Sequence, residues 1–260
     1  MKLRLGVGQI KNETDLQNNF SKIKKCLSVF SKNNVELAIF PECALSGFSA
    51  AMRDVTDEVL RPMLEDFLNI SNTDGIAILL PTGIKKGEIY NTGFYFNNNE
   101  IKQFYKIGLT DSEKKFFSAP SNYQKEIFEI KSFKFFTLIC MEAQESAYKY
   151  FKPDDVDFIV WPGYWGWKKN DTWNKIKSDG EECLVFENMT RWQIPLIQAN
   201  FAYNDFSDAR SDGPHGMSMI VNSDNSLFNT GAIDQESCLI VDLEKKSRCQ
   251  FTFFDQKFLT

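Results

Sequence analysis

Glu36-Leu37-Ala38-Ile39-Phe40-Pro41-Glu42-Cys43 sets a short apolar run against a proline and a carboxylate. The run is too short for a helix and is halted by Pro41, so it reads as a buried strand over residues 36–40. Glu42 then stands just past a strand end, among apolar neighbours. Upstream, Leu16, Phe20, Ile23, Leu27 and Phe30 recur at steps of four, three, four and three, which predicts an amphipathic helix running to about Lys32. Further upstream, Lys2–Ile10 places Leu3, Leu5 and Val7 on one face of a first strand. The chain therefore opens strand, helix, strand.

Downstream the alternation continues. Residues 55–71 read as a second helix and 76–81 as a buried strand. Residues 90–97 and 100–105 flank Asn97-Asn98-Asn99, a hairpin turn. Residues 134–140 form an apolar strand ending at Cys140; residues 146–151 suggest a short helix, 157–161 a strand, and 172–194 an interrupted helix ending near Pro195. Strands at 196–200, 218–222, 227–229, 237–243 and 249–254 close the chain. These patterns predict one α/β domain over residues 1–260, with sheets packed face to face and helices outside.

Bulk properties narrow the chemistry. The chain has 260 residues, 43% of them hydrophobic, among them 24 Phe, enough for a large aromatic-filled core without a disulfide or metal staple. A net charge of −5 argues against a general nucleic-acid surface or an anionic membrane surface. No apolar stretch is long enough to span a bilayer, and the first residues lack the apolar run of a signal peptide. Six cysteines without such a signal read as reduced thiols, which predicts a cytoplasmic protein; with no CxxC pair, a structural zinc site is not expected. The single histidine, His215, excludes a metal site built from several histidines of one chain, and a Ser-His or Cys-His site would have to use it. Acid–base work then falls to Glu, Asp, Lys or Tyr. There is no phosphate-binding P-loop, and Gly6-x-Gly8 lacks the third glycine of a dinucleotide fingerprint, so no cofactor is expected.

Three reactive residues stand just past predicted strand ends, where clefts form in α/β proteins. Burial of Glu42 would raise its pKa and make it a better base. Lys106, in Tyr105-Lys106-Ile107-Gly108-Leu109, could stabilise negative charge developing on oxygen, with Glu113 seven residues on. Cys140, in Leu138-Ile139-Cys140-Met141-Glu142, enters a turn that could project its sulfur into a cleft, although the glycines of a G-x-S-x-G elbow are missing.

In order and spacing, these segments resemble the nitrilase superfamily of carbon–nitrogen hydrolases over almost the whole chain. Pro41-Glu42 with Ala44-Leu45-Ser46-Gly47-Phe48 resembles its first glutamate motif, Tyr105-Lys106 with Leu109 and Glu113 its lysine motif, and Leu138–Glu142 its nucleophile motif. Glu187-Asn188 and Ala199-Asn200 resemble positions beside the active-site layer. The resemblance implies a four-layer α-β-β-α sandwich that dimerises through helices near the nucleophile. It implies Cys140 as nucleophile, Glu42 as general base, Lys106 as oxyanion stabiliser, and Glu113 as a second glutamate that places substrate and holds Lys106. Departures are plain: Gly108 stands where His is common, Gln144-Glu145 replaces a proline-glutamate, and an arginine is missing before Glu187, although Arg191 follows. Met141 stands where nitrilases tend to have Trp, which favours amides over nitriles.

The expected activity is hydrolysis of a small amide or N-carbamoyl compound through a cysteine thioester, with the Met141 N–H as a further oxyanion donor. A catalytically inactive binding module and acyl transfer to an amine are the competing readings. A stand-alone enzyme is expected rather than the glutaminase domain of a synthetase, since no second module follows. Tyr164 and Trp165, in Trp161-Pro162-Gly163-Tyr164-Trp165-Gly166-Trp167, line the substrate pocket or pack at a dimer interface. Arg191 binds a substrate carboxylate or pairs with a neighbouring acid, and His215 is a loop or pocket residue.

Overall fold

The computed structural model describes residues 1–144, 155–166, 183–203, 216–224, 226–245 and 249–259. Strand β1 (Lys2–Gln9) leads into helix α1 (Leu16–Lys32), which starts where the Asp15 side chain accepts the Asn18 N–H at 2.7 Å. The helix buries Ile23, Leu27 and Phe30 of the expected stripe together with Cys26, and Leu16 and Phe20 pack partly buried on the same core. Strand β2 (Leu37–Ile39) follows, then α2 (Asp57–Asp74), capped by Thr56.

Strand β3 (Ala77–Lys86) runs past Pro81, where the sequence pattern had predicted a stop. The proline is tolerated because β2 pairs only with residues 77–79; beyond them the loop after β2 takes over, and Leu45 N–H donates to the Pro81 carbonyl. Strands β4 (Glu88–Asn97) and β5 (Glu100–Tyr105) close on Asn98 and Asn99, both at positive φ (51° and 63°), the geometry of a two-residue hairpin turn.

The second sheet begins with β6 (Phe128–Ile130), a strand the pattern does not announce, and continues with β7 (Phe133–Thr137), β8 (Phe158–Pro162), β9 (Leu196–Ala199), β10 (Met219–Val221) and β11 (Leu227–Thr230). Helix α3 (Cys183–Trp192) precedes β9. The chain then returns to the first sheet with β12 (Ser237–Glu244) and β13 (Gln250–Phe258). The strand orders are β13-β12-β1-β2-β3-β4-β5 and β11-β10-β9-β8-β7-β6. The expected helix at residues 146–151 and the first part of the one expected over 172–194 lie outside the described residues.

Burial sorts into layers. Leu5, Leu37, Phe104, Phe135, Val160 and Ile197 belong to the core between the sheets. The first sheet's other face packs on α1 and α2 through Phe30, Phe40 and Phe67; the second sheet's packs on α3 through Trp161, Phe186 and Leu196. This is the four-layer α-β-β-α sandwich. Arg4 pairs with Asp242, its cross-strand partner in β12, at 2.8 and 3.2 Å, and covers the Phe254 ring at 3.6 Å.

The loop after β2 is fixed where it passes under α1. Gly47 has φ 69°, and a Cβ there would fall on the Glu13 carbonyl oxygen, a backbone atom that cannot move aside cheaply. Gly47→Ala is expected to cost about 2 kcal/mol or more, read as a lowered midpoint in urea unfolding; an unchanged midpoint would show that this loop carries no strain.

Candidate active site

β1, β2 and β3 are parallel, as are β7, β8 and β9, and β5 runs the same way as β3 because both are antiparallel to β4. The loops after β2, β5, β7 and β8 carry Glu42, Lys106, Cys140 and Tyr164. Each of these residues therefore stands past the C-terminal end of a strand, where such sheets leave room for a site.

Glu42 is fully buried in a loop pinned on several sides. Asn19 Nδ2 donates to the Leu45 carbonyl, the Phe48 N–H donates to Asn12 Oδ1, and the Gly83 N–H donates to Ser46 Oγ. Asn91 Nδ2 donates to Glu42 Oε1 at 2.7 Å, while the Asn91 carbonyl accepts the Lys106 N–H at 2.8 Å. Asn91 thus orients two site residues at once.

Lys106 is fully buried, and its ammonium lies 2.8 Å from Glu42 Oε1 and 2.5 Å from Glu113 Oε1. Glu113 Oε2 accepts the Thr110 N–H at 2.9 Å, which holds the acid over the lysine loop. The remaining Glu42 oxygen, Oε2, is buried with no hydrogen-bond partner.

Cys140 opens a 3-10 turn (Cys140–Ala143) and has φ 51°, a left-handed conformation that a non-glycine residue adopts at a cost. This is the elbow expected of the strand end, reached without flanking glycines. Its carbonyl accepts from Trp161 Nε1 at 2.8 Å, and Asn188 Nδ2 holds the end of the turn through the Ala143 carbonyl at 3.2 Å. Cys140 is a partly exposed residue, as is Met141 beside it. The sulfur senses the charges of Glu42, Lys106 and Glu113 and takes a hydrogen bond from the Tyr164 backbone.

The structure therefore brings together Glu42, Lys106, Glu113 and Cys140. Tyr164 lies flat on Phe48, with ring centroids 4.9 Å apart, and Phe48 meets Phe117 edge-on at 6.0 Å. Trp165 packs against Trp161, and its backbone is held at both ends by the Asn200 side chain. Arg191 is exposed in the last turn of α3, and among the described residues no hydrogen bond or ion pair joins it to the Lys106 cluster. His215 lies outside the described residues. Among the described residues, no group of His, Cys, Asp and Glu is arranged to hold a metal ion, and no helix is long and apolar enough to cross a membrane.

The model of the carbon–nitrogen hydrolase family matches residues 4–246. The chain belongs to the carbon–nitrogen hydrolases. It is 24% identical to a protein named nitrilase from Pyrococcus abyssi (strain GE5 / Orsay) over 137 residues, 48% of this chain and 50% of that one. The fold matches a glutamine-dependent NAD+ synthetase from Acinetobacter baumannii with a TM-score of 0.78 at 15% identity, covering 98% of this chain and 48% of that one. It also matches an alanine variant of an amidase from Nesterenkonia sp. AN1 in complex with butyramide, with a TM-score of 0.72 at 16% identity, covering 93% and 90%. The chain thus spans about half the length of the nitrilase and of the synthetase.

In this carbon–nitrogen hydrolase, burial raises the pKa of Glu42; Lys106 opposes the shift and Glu113 adds to it. Burial alone would lower the Lys106 pKa, but Glu42, the Cys140 sulfur and Glu113 outweigh it and hold the ammonium well above the ordinary lysine range. Burial, then Glu42, pushes the Cys140 thiol well above its ordinary value; Lys106 recovers part of the shift. The resting site is thus a neutral thiol beside a cation shared by two carboxyl groups.

Sequence patterns had no means of finding Asn91, Lys125 or the contacts of Asn200, because each acts on a segment that only the tertiary fold brings beside it. Lys125 is buried against Glu142, at 2.6 Å.

A thiol pKa raised by folding stabilises the folded state below its unfolded value, 9.0, and that contribution is lost as pH rises toward the folded value. Above pH 9.0 the unfolding midpoint of the natural chain should fall more steeply than that of Cys140→Ala. Parallel curves would show that the thiol is not held neutral.

Proposed function

We propose that this chain hydrolyses the carbon–nitrogen bond of a small non-peptide amide or N-carbamoyl compound through a thioester on Cys140, releasing ammonia or an amine. The observation that carries the reading is the buried Lys106 ammonium held between Glu42 and Glu113, with Glu42 Oε2 unpartnered and its charge felt by the Cys140 sulfur.

The thiol starts neutral. As sulfur bonds to the substrate carbon, its proton passes to Glu42 Oε2 and the carbonyl electrons move onto oxygen. Lys106 and the Met141 N–H meet that oxyanion; one such donor is typically worth about 3–4 kcal/mol in the barrier. Glu42 then gives its proton to the departing nitrogen as the carbon–nitrogen bond breaks. Water attacks the thioester, Glu42 takes a proton from it, and the leaving thiolate regains a proton as the carboxylic acid departs. Glu113 reacts with nothing; it keeps Lys106 charged and in place. Phe48, Tyr164 and Trp165 supply an aromatic wall, which suits a small apolar acyl group.

The amide preference draws support from the butyramide complex of the Nesterenkonia amidase. The working form in this reading is a cytoplasmic homodimer without metal or cofactor.

The test is ammonia release over a panel of aliphatic amides, carbamoyl amines and nitriles. Cys140→Ala should release none while keeping its fold, and Glu42→Gln should lose roughly a hundredfold or more in kcat. Turnover by Cys140→Ala at the natural rate would refute the nucleophile.

A further inference from the structure

We infer that the buried Lys125–Glu142 ion pair is a positioning clasp, which sets the placement of the Lys106 ammonium relative to the Cys140 sulfur by tying the two loops that carry them to one carboxylate. The inference rests on the reaction proposed above.

Glu142 lies two residues past the nucleophile and is fully buried. Its Oε1 accepts the Ile107 and Gly108 N–H groups at 2.8 and 3.1 Å. Its Oε2 accepts the Ile139 N–H at 2.7 Å and the Lys125 ammonium at 2.6 Å. Lys125, whose side chain is 4% exposed, also donates to the Thr137 carbonyl at 3.2 Å. Ile107 and Gly108 follow Lys106 at the end of β5 in the first sheet. Thr137 and Ile139 precede Cys140 at the end of β7 in the second. One carboxylate therefore bridges the sheets, with both oxygens saturated by four donors, and each backbone donor lies within three residues of Lys106 or Cys140.

Stability alone does not explain such a pair. Apolar side chains of similar volume commonly serve a core as well as a buried ion pair or better. What a carboxylate adds is a fixed spacing between two acceptors, and here that spacing sets one catalytic loop against the other. The elbow strengthens the case: Cys140 sits at φ 51°, and Glu142 Oε2 holds the N–H immediately before it.

The surrounding charges are few. Cys140 senses Glu42, Lys106 and Glu113; Lys125 senses Glu142 and Lys106; Tyr123 senses Glu142, Glu126 and Tyr105. Burial, partly offset by Glu142, already holds Lys125 below the ordinary lysine range. Glu142→Asp keeps the carboxylate, so a change at the sulfur that it shares with Glu142→Gln reports geometry rather than charge.

The experiment follows alkylation of Cys140 by iodoacetamide against pH, with the modified residue identified by mass spectrometry. The thiolate displaces iodide to form a thioether. In Glu142→Gln, loss of Lys106 support should move the midpoint up by about one unit, equal to tenfold less thiolate at fixed pH. Ammonia release should lose kcat more than KM. Glu142→Asp keeps the charge but cannot reach both loops, so it should shift in the same direction by less. Should Glu142→Gln fail to fold, Glu142→Asp and Lys125→Met carry the same comparison. A folded variant with a lowered melting temperature and an unmoved midpoint overturns the clasp, as does a Glu142→Asp profile identical to the natural one. Failure of the catalytic reading shows separately, as turnover by Cys140→Ala.

Discussion

A lysine ammonium taken out of water between two carboxylates governs the rest of this molecule. Lys106, Glu42 and Glu113 each lose most of their hydration, and removing one member of such a set typically costs about 3–5 kcal/mol. The surrounding structure is arranged so that none of these charges is stranded. Asn91 shares Glu42 Oε1 with the lysine, the Thr110 N–H takes the far oxygen of Glu113, and the loop after β2 is held by Asn12, Asn19 and Ser46. The single exception is Glu42 Oε2. An unpartnered carboxylate oxygen in the interior is costly in a resting protein, and it lies in the group best placed to receive a proton.

That electrostatic balance bears on the order of events in the proposed reaction. A thiolate at Cys140 would add a negative charge to a site that already holds two carboxyl groups against one ammonium. The proposed reaction therefore couples attack to proton removal, with the base near enough to accept as the sulfur bonds. Histidine is not needed for this, because burial moves a glutamate toward the range in which it can exchange protons near neutrality.

Much of this was legible from residue patterns, for local reasons. The α1 stripe follows from a spacing that only a helix satisfies, and the Asn98-Asn99 turn from side chains that tolerate positive φ. Glu42, Lys106 and Cys140 stood out because each ends a strand, and their order matched a family. What escaped was whatever depends on two distant segments meeting. β6 alternates, but over three residues only, too few to stand out from a loop. β3 continues past Pro81 because another loop supplies the contacts there. The late strands divide between the two sheets, a choice made by docking rather than by propensity. Asn91 reaches the Glu42 carboxylate from another strand, Glu142 takes backbone N–H groups of the loop after β5, and Lys125 joins Glu142 from the segment before β6, while Arg191, eligible by type, emerges on an exposed helix end.

The pairing of β1 with β12 has a consequence for how the chain is made. Lys2 lies opposite Glu244 and Gln9 opposite Ser237. During vectorial synthesis β1 leaves the ribosome well before β12 and can meet β2 early, yet its other edge has no native neighbour until β12 has emerged. An open strand edge of this kind invites mispairing with other nascent chains. The residue that closes it on the β12 side, Asp242, receives the Arg4 guanidinium opposite it, so a strand made late carries the ionic latch for one made early.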